Sequence, residues 1–129
     1  MESIDILDKD GNKTGLRKPK PGIHKDGDWH RAAHIWILNS CNELLIQRRS
    51  PMKENYPNLW DISVAGHVSA GEDSTSSALR EIEEEIGVRL NKGHFQYLFT
   101  TIKQVALNSG TYIDNEIHDV YLVRVDVGI

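Results

Sequence analysis

At 129 residues the chain is long enough to bury a core as one domain and short for two. Hydrophobic content of 39% with 26% charged residues is ordinary for a soluble globular protein, and a net charge of −4 is the wrong sign for a general binder of nucleic-acid polymers. No apolar run approaches the ~18 residues of a membrane span and no signal-peptide pattern is present, so no membrane partner and a cytoplasmic location are expected. The lone Cys41 cannot close an internal disulfide, in keeping with a reducing compartment.

In chain order, residues 1–29 read as an N-terminal hairpin and a loop. Ile4, Ile6 and Leu7 suggest a short strand, Asp8-Lys9-Asp10-Gly11-Asn12 a turn, and residues 14–17 a return strand. Lys18-Pro19-Lys20-Pro21-Gly22 is expected to break regular structure. Residues 31–38 read as a strand, Asn39-Ser40-Cys41-Asn42 as a turn, and residues 43–47 as a second strand ended by Arg48-Arg49-Ser50-Pro51. Residues 51–58 are loop, and residues 60–64 are a strand leading into the segment 66–88. That segment ends in a short helix. Asp73 or Ser74 can cap its start by accepting orphan backbone N–H bonds, and Gly87 sits where a left-handed residue closes a helix. Residues 95–105 and 116–127 then read as two long strands joined through Asn108-Ser109-Gly110. Strands on both sides of one central helix predict an α/β class with a mixed sheet, and the chain 1–129 a single domain.

The helix carries the chemistry. At roughly 100° per residue, Leu79, Ile82 and Ile86 share an apolar stripe. Glu81, Glu84 and Glu85 fall within about a 100° arc beside it, while Glu83 points away. Like charges at this spacing repel, so something cationic should sit over them. Mg²⁺ is a hard cation wanting oxygen ligands, usually one or two carboxylates with waters and substrate phosphate oxygens. Glutamates at i, i+3 and i+4 bring carboxylates to one helical level for such an ion. A Glu run alone is more often a solvated helix face, so the spacing of the whole segment decides. Gly66, five residues, Glu72, seven residues, Arg80-Glu81-Ile82, one residue, Glu84-Glu85, one residue and Gly87-Val88 fill every fixed position of a Nudix box.

The sequence thus resembles a Nudix hydrolase. The resemblance implies an α/β/α sandwich around a mixed sheet. It makes Glu84 and Glu85 metal ligands and Glu81 a ligand or base, with the carbonyl of Gly66 completing the site. Arg80 and Glu72 correspond to residues that pair to brace the loop–helix–loop, although Arg80 can also reach Glu84. Arg48 and Arg49 end a strand where family members often contact substrate phosphate, and Arg forks suit phosphate oxygens. Glu116 or Asp119 can supply the extra acid that many members recruit from outside the box, with Glu116 preferred. Trp29, Trp36 and Trp60 can stack on a base, though large aromatics are more often core. Members usually continue into a further strand and a C-terminal helix that covers one sheet face. This chain stops at Val127-Gly128-Ile129, so the expectation is a truncated fragment or a face covered by a partner subunit. An exposed apolar patch or homodimer interface is therefore expected near residues 117–129.

Within the superfamily the chain most resembles the branch near isopentenyl-diphosphate isomerases. Asp8-Lys9-Asp10-Gly11-Asn12, Trp29-His30-Arg31-Ala32, Gln47-Arg48-Arg49, Trp60-Asp61, Gly66-His67 and Asp114-Asn115-Glu116 carry that likeness. It implies a metal held by counterparts of His24, His30, His67, Asp114 and Glu116, a set suited to Mn²⁺ or Zn²⁺. His67 is also a candidate substrate contact. The isomerases carry a reactive cysteine just before the matching Gly-His, whereas this chain has Ala65, which cannot donate or accept a proton. The function expected is Mg²⁺-dependent cleavage of a diphosphate bond in a small molecule, with Mn²⁺ as a substitute ion. Isomerase-like activity and a non-catalytic diphosphate-sensing module are the alternatives.

Overall fold

Strand β3 (Trp29–Leu38) is the axis of the molecule, because all ten of its residues pair along one edge and three shorter strands pair along the other. The structure is a computed structural model that describes residues 3–48, 52, 60–110 and 112–126. Along one edge β3 runs parallel to β9 (Tyr112–Arg124), in register from Trp29 opposite Asn115 to Leu38 opposite Arg124. The other edge is shared by three antiparallel partners. Leu7 of β1 (Ser3–Leu7) pairs at its start, β7 (Val64–His67) at its middle and β4 (Leu44–Leu45) at its end. Hairpin partner β2 (Lys13–Pro19) flanks β1, and β8 (Phe95–Leu107) lies antiparallel to β9 at the far edge. The sheet is mixed, as expected.

The N-terminal hairpin turns where Asp8 accepts hydrogen bonds from the backbone N–H groups of Asp10 and Asn12 at 2.9 and 3.0 Å. The break expected over residues 18–22 is corrected: helix α1 (Lys20–Asp26) starts there. Pro21 lies in its first turn, where the missing N–H would have no partner anyway. Gly27 closes it in the left-handed region at φ 74°, and Ile23 and His24 are buried. The strand expected over residues 43–47 is two short pieces, β4 and β5 (Gln47–Arg48), and that over 60–64 is divided between β6 (Trp60–Asp61) and β7. Buried Ser63 marks the second division. Its Oγ accepts from the Ile37 N–H at 2.8 Å and donates to the Leu45 carbonyl, taking places in the ladder that a backbone would fill. Strands β5 and β6 pair only with each other.

Alternation along the strands sorts the two sheet faces. Ala33, Ile35 and Ile37 of β3, with Val64 and Val123, point to one face. There they meet Ala78 and Ile82 of helix α2 (Ser74–Ile86), forming the core cluster. His30, Ala32 and His34 point to the other face, which α1 approaches through its contacts with β9. The apolar patch expected near residues 117–129 is corrected too. Ile117, Val120, Tyr121 and Val123 are buried within the chain, because β9 lies between two paired strands, and residues 127–129 fall outside the described set. Exposed apolar side chains sit instead on β8, at Tyr97, Phe99 and Ile102. No helix among the described residues is long and apolar enough to cross a membrane.

Candidate active site

Helix α2 begins as the sequence indicates. Asp73 is the cap, its Oδ1 accepting from the Ser76 N–H at 2.8 Å, and Gly87 closes the helix at φ 71°. Ser74, the alternative cap, is buried with its hydroxyl 2.7 Å from that of Tyr121. Hydrogen bonds from the Ser76 backbone and then the Ser76 and Thr75 side chains hold the Asp73 carboxyl well below the usual carboxylate range. Asp73→Ala is expected to cost about 1 kcal/mol at neutral pH, read by urea unfolding. A depressed folded-state pKa gives stability above the unfolded pKa that is lost as pH falls. The gap between the two proteins should therefore close in acid.

The cap sets the helix so that Glu81 presses on Gly66. A β-carbon built on Gly66 would lie 2.5 Å from Glu81 Cγ and 2.6 Å from its Oε1, so a larger residue there must displace the Glu81 side chain. Arg80 places positive charge beside two of the three glutamates of the acidic arc. Its guanidinium lies 3.0 Å from Glu81 and 3.6 Å from Glu84, and also 3.3 Å from Glu72 and 3.0 Å from the Ser69 hydroxyl. Both partners foreseen for Arg80 are thus real. Glu85 accepts from the Gln47 side-chain amide at 2.9 Å, and Glu83 pairs away from the trio with Arg89 at 3.0 Å. Arg49 and the side chain of Arg48 lie outside the described residues.

The next residue after Gly66 opens onto the opposite face. His67 there meets His24 of α1, His30 of β3 and Glu116 of β9, whose ligating atoms all lie within 4.8 Å of one another. Glu116 Oε1 is 3.3 Å from Nε2 of both His30 and His67 and 4.0 Å from that of His24. Asp114 closes the group, 3.7 Å from His24 and 3.8 Å from His30, with Lys103 at 3.0 Å on its other oxygen. The five counterparts implied by the isomerase resemblance therefore converge, and Glu116 sits with the histidines. Two buried polar atoms in the group, His24 Nε2 and Asp114 Oδ1, have no hydrogen-bond partner among the described residues. Both are metal-ligating atoms, and their enclosure without partners fits a cation.

Charge explains the titration of this pocket. Burial would raise the Glu116 carboxyl, but the imidazoles of His118, His24, His30 and His67 hold it far below the carboxylate range. Burial would lower His24, yet the attraction of Asp114 and Glu116 outweighs it and carries its pKa up to about 9. His67 is shifted down, because burial there outweighs Glu116. Since His24 in the folded state lies above its ordinary 6.5, its contribution is complete below that pH and lost as pH rises through about 9. A metal-free preparation should lose thermal stability across that interval, and His24→Gln should flatten the slope.

Two further histidines on this face, His34 and His118, escape a reading by motif. His118 Nε2 is 2.5 Å from Glu116 Oε2, and the His34 and His118 rings stack with centroids 3.9 Å apart. Burial, reinforced by His118, pushes His34 down to about 4. The available signal is the even spacing His30-His34 and Glu116-His118, which puts each pair on one face of its strand.

Residues 28–128 match the NUDIX domain family. The chain is 49% identical to Nudix hydrolase 3 of Arabidopsis thaliana over 125 residues, covering 96% of this chain and 16% of that protein. It is 33% identical to an isopentenyl-diphosphate Delta-isomerase of Paenarthrobacter aurescens, over 96% of this chain and 66% of that enzyme. The crystal structure of DR0079 from Deinococcus radiodurans matches with a TM-score of 0.74 at 27% identity, over 98% of this chain and 74% of that one. A family match over most of the chain, a mixed sheet of the same fold and a filled loop–helix–loop agree: the chain, which spans only part of the length of these relatives, belongs to the NUDIX domain family.

Proposed function

We propose that this chain is a Mg²⁺-dependent hydrolase that cleaves a diphosphate bond in a small molecule through attack of water at phosphorus. The observation that carries this is the seating of Glu81 against Gly66, with Arg80 bridging Glu81, Glu84 and Glu72. Glu81, Glu84 and Glu85 with the Gly66 carbonyl would offer a hard cation an all-oxygen donor set once the three carboxylates close on it, since they are not gathered within 4.8 Å of one another here. Mg²⁺ bound there would polarise the phosphoryl oxygens and lower the pKa of a bound water. Arg80 offsets the repulsion between Glu81 and Glu84. Glu84 and Glu85 hold the cation, while Glu81, the most enclosed of the three, accepts the proton of the attacking water. Arg48 and Arg49 contact phosphate oxygens of the substrate, where their forks bind bidentately.

Exposed Tyr97, Phe99 and Ile102 on the edge strand support a homodimer, and the net charge of −4 disfavours a nucleic-acid polymer as partner. The lone, exposed Cys41 supports a cytoplasmic location. On the second face, His24, His30, His67, Asp114 and Glu116 offer mixed nitrogen and oxygen ligands suited to Mn²⁺ or Zn²⁺.

That second set favours isomerisation as the competing activity, but Ala65 counts against it. Its methyl group lies on the histidine face, opposite His34, where proton transfer at carbon would need an acid. The test is a panel of nucleoside diphosphate derivatives, dinucleotides and isoprenoid diphosphates with Mg²⁺ or Mn²⁺, followed by phosphate release and product chromatography. Hydrolysis of one class is expected. Allylic isomer from isopentenyl diphosphate without hydrolysis would replace the proposal with isomerisation. Calorimetric binding with no product across the panel would replace it with a sensing module.

A further inference from the structure

Glu116 is used on both of its oxygens. Oε1 faces His24, His30 and His67, whereas Oε2 faces His118. Beyond His118 lies His34, half-buried, whose ring stacks on that of His118 at an interplanar angle of 29° and has no hydrogen-bond partner among the described residues. The parallel register of β3 and β9 is what brings the two rings together. Ala32 lies opposite His118, so His34 stands one side-chain step along the same face. One ligand atom each from His34, His118 and Glu116 lie within 4.8 Å of one another.

We propose that His34, His118 and Oε2 of Glu116 form a second cation site, so that Glu116 bridges a two-ion centre on this face. The inference rests on the assignment of His24, His30, His67 and Asp114 as ligands of the first ion. Imidazole with carboxylate selects a borderline divalent ion, Mn²⁺, Co²⁺ or Zn²⁺, over Mg²⁺. A carboxylate sharing its two oxygens between ions suits the roughly 3.5–4 Å separation of two-metal sites. Asp114 and Glu116 neutralise half of the charge of two divalent ions. The pair therefore presents net positive charge to an anionic substrate, the class expected of a diphosphate. The two ions lie on the sheet face opposite the glutamates of α2, since Gly66 and His67 alternate across β7.

The experiment uses the 129-residue chain carrying Glu84→Gln and Glu85→Gln, so that α2 contributes no ions. The protein is loaded with Zn²⁺ for ion counting after gel filtration, and with Mn²⁺ for electron paramagnetic resonance. Two Zn²⁺ per chain and an exchange-coupled Mn²⁺ signal are expected. His34→Asn or His118→Asn should lose one ion and leave the isolated six-line Mn²⁺ spectrum. One ion per chain with an uncoupled spectrum overturns the second site while leaving the first. No retained ion overturns both. Because the coupled spectrum is recorded with both histidines present, a failure of either variant to fold leaves the proposal open to refutation.

Discussion

Glu84→Gln and Glu85→Gln are each expected to lower diphosphate turnover by about 10³-fold, measured as initial rate of phosphate release at saturating Mg²⁺. The factor follows from several kcal/mol of charge stabilisation that a cation supplies at a developing phosphoryl transition state. Glutamine keeps the shape of each side chain and removes the charge that holds the ion. Glu84 is mostly solvent-exposed, and Glu85 accepts a 2.9 Å hydrogen bond from Gln47. The unfolding free energy of Glu84→Gln should therefore stay within about 0.5 kcal/mol of the parent. Undiminished turnover in both variants would remove α2 from the chemistry.

Gly66→Ala is expected to lower turnover by about 10²-fold and stability by about 1–3 kcal/mol. The added methyl would occupy the space of the Glu81 side chain, with Cγ only 2.5 Å away. Two responses exist. Glu81 swings off β7, or α2 lifts from the sheet and strains Ala78 and Ile82 in the core. Either displaces Glu81 by a distance that orientation-dependent catalysis does not tolerate. Steady-state kinetics with urea unfolding separates the effects: a stability loss with unchanged turnover would show that Glu81 needs no fixed position.

Much of the α2 site is readable in one dimension because its constraints are local. Capping by Asp73, closure by Gly87 and the separation of Glu83 follow from helical spacing within one segment, and the Arg80–Glu72 pair is what the family resemblance implies. Helix α1 is hidden because Pro19, Pro21 and Gly22 read as breakers, although Pro21 falls where proline is tolerated. The partnership of His34 and His118 is hidden for a different reason. It depends on the parallel register between β3 and β9, more than eighty residues apart, and no local pattern fixes register. The burial of β9 is likewise tertiary: β8 adds beyond it, moving the exposed apolar edge from residues 117–129 to Tyr97, Phe99 and Ile102.

The most direct measurement is to run the reaction with a diphosphate substrate in heavy-oxygen water and analyse the products by mass spectrometry. Attack of water at phosphorus predicts one heavy oxygen in a released phosphoryl product per cleavage, with the label lost together with activity in the Glu84→Gln, Glu85→Gln double variant. Product formed with no heavy oxygen on phosphorus, or label retained at full rate in that variant, would contradict hydrolysis by the glutamates of α2.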